Sequence, residues 1–287
     1  VLPGAGRASW PAFAMLDAGP DVSRISTGEL SARAGEAAYR AIESAVHLAV
    51  AGAVAAICTA PINKEALNLA GHHYAGHTEL LADLTGVRGS VMMLAYGGMR
   101  VSHISTHTAL ADVPRRLTEP RLRQVVELTA DALRRLGIAE PRLGVAALNP
   151  HAGEGGLFGR EDIDITAPAV ARLRQEGHKI WGPISGDTIF VRLYAGEFDA
   201  VVAMYHDQGH IPVKLLGFSR DPTSGEMRAL NGVNVTLGLP IVRTSVDHGT
   251  AFDIAGRGIA SEQSLLDAID FALRLARVPA HAGTTVI

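Results

Sequence analysis

Phe198-Asp199-Ala200-Val201-Val202-Ala203-Met204-Tyr205-His206-Asp207-Gln208-Gly209-His210-Ile211-Pro212-Val213-Lys214 joins a short apolar run to a cluster of ionisable groups. The run up to Ala203 is of the kind that makes a strand buried in a parallel sheet. His206, Asp207 and Gln208 then fall at the carboxyl edge of that strand, where open α/β sheets bind ligands. A polar loop with capping side chains would explain one such tip. Two similar tips elsewhere in the chain favour a functional reading.

Those tips are Thr106-His107 and Pro150-His151, each after a predicted strand. Imidazole is the commonest metal ligand and suits Zn, Co, Fe or Ni. Three histidines with an open position describe a catalytic rather than a structural site. Any one alone reads as a hydrogen-bonded loop residue; their recurrence at equivalent strand ends points to His107, His151 and His206 as metal ligands.

Around these tips the pattern alternates strand and helix. Helices are expected over 30–51, from Glu65 onward, over 121–136, over 161–176 with a bend or restart at Pro168, over 188–194 capped by Asp187, and over 263–277. Strands are expected over 53–58, 90–95, 100–105, 142–148, 198–203, 233–237 and 241–244. Residues 218–232 are rich in turn formers and read as a surface excursion. The alternation argues for an α/β fold with a largely parallel or mixed sheet. No internal repeat or low-complexity linker divides the chain.

The 287 residues carry 29 acidic and 26 basic side chains, a formal charge of -3. No basic run marks a nucleic-acid or anionic-membrane surface. No apolar stretch is long enough for a membrane span. The single cysteine, Cys58, excludes an internal disulfide and fits a reducing, cytoplasmic setting. The sequence opens Val1-Leu2-Pro3-Gly4 without Met or a signal-peptide core, as expected of a chain lacking its first segment.

Lys64, Lys214, Arg243 and Asn234 fall beside predicted strand ends and suit an anionic substrate, lysine as a point charge and arginine as a planar fork. Gly153-Glu154-Gly155-Gly156 could approach a phosphate through backbone amides, but no G-x-G-x-x-G opens a helix, so a Rossmann site has no support. His248-Gly249-Thr250-Ala251-Phe252-Asp253-Ile254-Ala255-Gly256 instead resembles the adenine-binding loop of isocitrate and isopropylmalate dehydrogenases.

Together with Ala60-Pro61-Ile62-Asn63-Lys64, Gly76-His77-Thr78-Glu79, the run 148–156 and the run 232–256, the chain resembles the 4-hydroxythreonine-4-phosphate dehydrogenase family of pyridoxal-phosphate biosynthesis. The resemblance runs from about Gly28 onward, in family order. It implies an isocitrate/isopropylmalate dehydrogenase-like fold, two interleaved α/β subdomains around a central cleft within one unit over 1–287, and not a Rossmann fold. It implies a divalent metal (Zn, Mg or Co) on His107, His151 and His206, shared across a homodimer. It places His77, Thr78, Lys214, Asn234 and Arg243 on the substrate, and NAD or NADP on His248, Gly249, Thr250, Ala251, Asp253, Ile254 and Gly256. The family's opening strand and Gly-Asp-Pro-rich loop are missing. His210-Ile211-Pro212 and the insertion over 218–231 are similar to the branch acting on phosphorylated threonate or erythronate.

The implied reaction is NAD(P)-linked oxidation at C3 and decarboxylation of a phosphorylated 3-hydroxy acid, with Lys214, Asp207 and Asp187 as candidates for proton transfer. The expected substrate is 4-hydroxy-L-threonine 4-phosphate, with 4-phospho-D-threonate or 4-phospho-D-erythronate as the alternative. A three-His metallohydrolase of phosphate esters would use the same metal and basic residues without the loop over 248–256, and a non-catalytic metal- or ligand-binding protein is a third reading.

Overall fold

A computed structural model describes residues 15–217, 219–220, 227–228 and 232–276. The expected excursion over 218–232 therefore lies mostly outside the described residues. Its two described pieces, β7 (Ser219–Arg220) and β8 (Met227–Arg228), pair as an antiparallel two-residue ladder. Among the described residues, no helix is long and apolar enough to cross a membrane.

One mixed sheet of eight strands carries the fold, in the order β1 (Ile57–Thr59), β10 (Arg243–Val246), β9 (Val233–Leu237), β2 (Val91–Tyr96), β3 (Met99–His103), β6 (Ala200–Ala203), β4 (Arg142–Ala146), β5 (Lys179–Ile184). The α/β class expected from the alternation holds. The run β3-β6-β4-β5 is parallel throughout, whereas β2, β9 and β10 join antiparallel, which is not the open parallel Rossmann order. Because β3, β6 and β4 are adjacent and parallel, their carboxyl ends share one edge of the sheet. That edge receives His107, His206 and His151.

Period-two alternation sorts each strand between two faces. Val91, Met93, Val233 and Val235 belong to one core cluster with Val125, Val126, Ala268 and Phe271, so α5 (Glu119–Arg135) and α9 (Gln263–Ala276) cover that face. Leu94, Val101 and Val201 face the other way, against Ile189, Leu193 and Val213 of α7 (Gly186–Tyr194) and α8 (His206–Gly217). A third cluster ties Ile57 of β1 to Ile42 and Val46 of α1 (Ala32–Val50), Leu67 of α2 (Lys64–Leu69), and Leu80 and Leu81 of α3 (His77–Leu84). The remaining helices are α4 (Val113–Arg116) and α6 (Ala167–Gln175).

Several expected boundaries move. The strand over 53–58 shrinks to the three residues of β1, and the last strand shifts from 241–244 to Arg243–Val246. Asp187 does not cap α7: Ser185 is the N-cap residue, and Asp187 lies in the first turn. The bend expected near Pro168 is a π-helical turn over Asp162–Thr166 leading into α6. Strand β5 was not expected, because Trp181, Gly182 and Pro183 break its pattern; Pro is tolerated there because β5 is an edge strand.

The stretch after β6 is a helix, not a loop. α8 forms in spite of Gly209 and Pro212 because it lies flush on β3. A Cβ on Gly209 would sit 2.3 Å from His103 Nε2 and 2.8 Å from Val101 Cγ1, so glycine is needed for that close approach.

Candidate active site

A cleft of about 360 Å³ opens between the first turn of α3, the face of α8 that carries His206, His210 and Lys214, and one face of β9 and β10. The ladder builds its floor. Ser245 pairs with Asn234 and Arg243 with Thr236, so these side chains share one face, with Asp247 two residues further on. Opposite Asp247 lies Gly232, whose missing side chain leaves Asp247 room: a Cβ there would be 3.3 Å from Asp247 Cβ.

Among the described residues, four buried side-chain polar atoms without a hydrogen-bond partner converge on this cleft, His77 Nε2, Glu79 Oε2, Asn234 Oδ1 and Arg243 Nε, and a fifth, Asp247 Oδ2, has only the Lys214 ammonium at 3.4 Å. A buried unpaired polar atom costs about 1–3 kcal/mol and calls for an explanation. A polar ligand supplies one.

Arg243 is the most telling. It is only 2% exposed, yet among the described residues no carboxylate pairs with it. Its guanidinium donates to Thr236 Oγ1 at 3.0 Å and Thr59 Oγ1 at 2.7 Å, both neutral. Burial pushes its pKa down to about 10. A buried uncompensated cation is an anion receptor in waiting. His77 is driven down to about 3, first by burial and then by the nearby Arg243 charge, and so enters the cleft as a neutral imidazole. It opens α3, whose first-turn N–H groups have no helical partners and favour an anion.

Lys214 reaches the cleft from α8, with Nζ 3.4 Å from Asp247 Oδ2. Burial raises the Asp247 pKa, and the lysine partly opposes that. This pair is the cleft's cation and acid in direct contact.

Two of the three predicted histidines, His107 and His206, stand on the cleft wall with ring centroids 6.1 Å apart. His206 stacks at 3.7 Å on His210, whose Nδ1 donates to the His206 carbonyl at 2.9 Å. His151 does not join them. It lies in a neighbouring groove with Asp187, Asp207, Phe190, Ile211 and Leu215. Among the described residues, no three His, Cys, Asp or Glu side chains of one chain converge as a metal cage.

The backbone around His151 is unusual. His151, Ala152, Gly153, Glu154 and Gly155 all have positive φ, from 44° to 88°. Left-handed geometry costs a non-glycine residue about 1–2 kcal/mol. Such strain persists where the surroundings impose it, and it collects at functional sites. Here the buried Asp162 pins the approach, accepting from the Leu148 and Asn149 N–H groups at 2.9 and 2.8 Å.

The donor set of the three histidines fits a divalent metal. Each has Nδ1 turned to a carboxylate: His206 to Asp207 at 2.7 Å, His151 to Glu154 at 2.7 Å, and His107 to Glu79 at 3.7 Å. That leaves the Nε2 lone pairs as the available ligand atoms.

Comparison with known proteins gives the family. The model of the family described as pyridoxal phosphate biosynthetic protein PdxA matches residues 9–272. The chain belongs to the PdxA family. A relative from Bradyrhizobium diazoefficiens, provisionally named a D-threonate 4-phosphate dehydrogenase, is 67% identical over 93% of this chain and 77% of its own length. A Geobacter metallireducens protein named 4-hydroxythreonine-4-phosphate dehydrogenase is 53% identical over 88% of this chain and 71% of its own. The crystal structure of the Klebsiella pneumoniae 4-hydroxythreonine-4-phosphate dehydrogenase superposes with a TM-score of 0.75 at 50% identity, over 87% of this chain and 73% of that one. The protein is accordingly a dehydrogenase.

Within this PdxA-family cleft, the five residues expected on the substrate, His77, Thr78, Lys214, Asn234 and Arg243, all line one cavity. The proton-transfer candidates separate: Lys214 lies in the cleft, while Asp187 and Asp207 face the groove of His151. Of the expected cofactor residues, His248 and Gly249 stand at the cleft rim. The loop continues exposed through Phe252 and Asp253 to a half-buried Ile254, with Ala251 left-handed at φ 48°. Reading the sequence missed Glu79, Asp247, Ser245 and His210, all of which line the cleft. Asp247 had a signal: it continues the alternation Arg243, Ser245, Asp247 on one strand face.

Proposed function

We propose that the chain oxidises the C3 hydroxyl of a 4-phosphorylated 3-hydroxy acid with NAD(P) and releases CO2 from the 3-keto acid. The favoured substrate is D-threonate 4-phosphate, ahead of 4-hydroxy-L-threonine 4-phosphate. The buried, unpaired Arg243 in a cleft with Lys214, His77 and the first turn of α3 is the observation that carries this reading. A substrate with two anionic ends, phosphate and carboxylate, uses two separated cationic sites. The relative named for D-threonate 4-phosphate, at 67% identity, supports the choice of acid.

Arg243 and Lys214 hold the anionic groups, and Asn234, Thr78 and neutral His77 orient the hydroxyls. Lys214, an ammonium beside Asp247, stands to give a proton to the carbon that loses CO2, and Asp247 to accept the hydroxyl proton and pass it on to the lysine. A divalent metal on His107 and His206, completed by His151 of a second copy, and NAD(P) at the loop over 248–256 supply Lewis acidity and the hydride acceptor when bound.

The test is to incubate the protein with Mg2+, Co2+ or Zn2+ and NAD+ or NADP+, offering each phosphorylated acid in turn. Growth of the reduced-nicotinamide absorbance with stoichiometric CO2 is the expected result, fastest with D-threonate 4-phosphate. Release of inorganic phosphate without reduced nicotinamide would replace this reading with a metallohydrolase.

A further inference from the structure

We propose that Glu79, Glu154 and Asp207 are positioning residues that fix His107, His151 and His206 as Nδ1–H tautomers, making Nε2 the ligand atom of each. This rests on the metal reading above. A carboxylate only accepts hydrogen bonds, so a neutral imidazole hydrogen-bonded to one must carry its proton on the facing nitrogen. His206 and His151 make that bond through Nδ1 at 2.7 Å each, and His107 turns the same nitrogen to Glu79 at 3.7 Å, a longer electrostatic contact that favours the same tautomer.

The carboxylates arrive by three unrelated routes. Asp207 is the next residue in the chain, and Glu154 comes round the left-handed turn that begins at His151. Glu79 belongs to a separate helix, α3. Asp207 and Glu154 lie close in sequence to their histidines and meet the ring nitrogen nearer the backbone, whereas Glu79 comes from a separate element and faces the same nitrogen. Among the described histidines, one other touches a carboxylate: His72 meets Glu36 at 2.6 Å, but through Nε2, and its ring is stacked on Tyr39. The Nδ1 pattern therefore singles out the three strand-end histidines. Partners of this kind orient a ligating ring and raise its basicity. The proposal also gives Asp207 a task other than proton transfer.

The experiment has two readouts on the full chain. Long-range 1H–15N spectra of histidine-labelled, metal-free protein at mildly alkaline pH report the tautomers. Calorimetric titration with Co2+ reports affinity. Wild type is expected to show Nδ1–H at all three rings. Asp207→Ala and Glu154→Ala should shift their own histidine toward Nε2–H and weaken Co2+ binding by about 10–100-fold. Glu79→Ala, across the longer contact, should do so less. Asp207→Asn and Glu154→Gln retain an acceptor and should recover much of the loss, which a merely structural role would not produce. Nε2–H tautomers in the wild type, or alanine variants binding Co2+ as tightly as wild type, would overturn the proposal. So would affinity losses that track a fall in melting temperature. Wild type that binds no Co2+, or His206→Ala that binds it equally well, would instead sink the metal reading while the tautomer result stood.

Discussion

Arg243 shows how one residue reveals a site. Its burial with no counter-charge among the described residues costs stability, which a bound anion would offset. Arg243→Met should therefore fold at least as stably as wild type while losing substrate affinity by about 2–5 kcal/mol, the usual effect of truncating one partner of a buried charged pair. Lys214 is half-buried and held by Asp247, so Lys214→Ala should lower turnover as well as affinity. Steady-state kinetics beside thermal melts check both. Unchanged Michaelis constants and turnover in the two variants would return these residues to the solvated surface. These two residues were legible in the sequence because cations beside strand ends are few. Glu79 was not, because an acid in a polar segment looks the same whether it faces solvent or a lysine, and Asp247 was only in part: the alternation puts it on the face of Arg243, but the pairing of β9 with β10 is what places it over Gly232 and beside Lys214.

At the scale of elements, the strand-end histidines were readable because apolar runs followed by polar tips identify parallel strands. Their adjacency was not readable, since the order β3-β6-β4 is set by crossovers rather than local pattern. α8 was hidden by Gly209 and Pro212, which local propensity counts against a helix, while packing on β3 decides for it. That packing has a measurable consequence. Under α8, His103 is fully buried, with its ring 4.8 Å from His210 and Nδ1 3.3 Å from the Met92 carbonyl. Burial, reinforced by His210, pushes its pKa from 6.5 down to about 3. The unfolded chain thus takes up this proton first as pH falls. The stability contribution is complete above about pH 6.5 and is lost progressively as pH falls toward 3, at up to about 1.4 kcal/mol per pH unit. Urea midpoints at pH 7 and pH 5 should fall more for wild type than for His103→Leu. Equal slopes would mean that His103 does not distinguish the folded from the unfolded state.

For the whole molecule, the division of the histidines matters most. His107 and His206 share the cleft, whereas His151 and Asp187 look into a groove bordered by Ile211 and Leu215, which are 64% and 75% exposed. Exposed apolar side chains rimmed by polar ones mark an association surface. If the proposed dimer forms there, a two-fold contact is isologous, so the groove that receives a second copy's cleft would also deliver its own His151 to that cleft. On the proposed reading two sites arise together, and neither would be complete in a monomer. Complementation follows directly from this arrangement. His151→Ala and His206→Ala homodimers should each be inactive, since every site in them lacks a ligand. Dissociated and mixed, half of the re-formed dimers carry both kinds of chain. In each of these, one site lacks both ligands and the other has all three. Activity should return to about a quarter of the wild-type value for an equimolar statistical mixture. Metal should also raise the dimer's melting temperature by mass action, as it binds only the assembled state. No recovery on mixing, with dimers re-formed by light scattering, would mean that His151 serves its own chain. Full activity in a fraction shown to be monomeric would remove the shared site altogether.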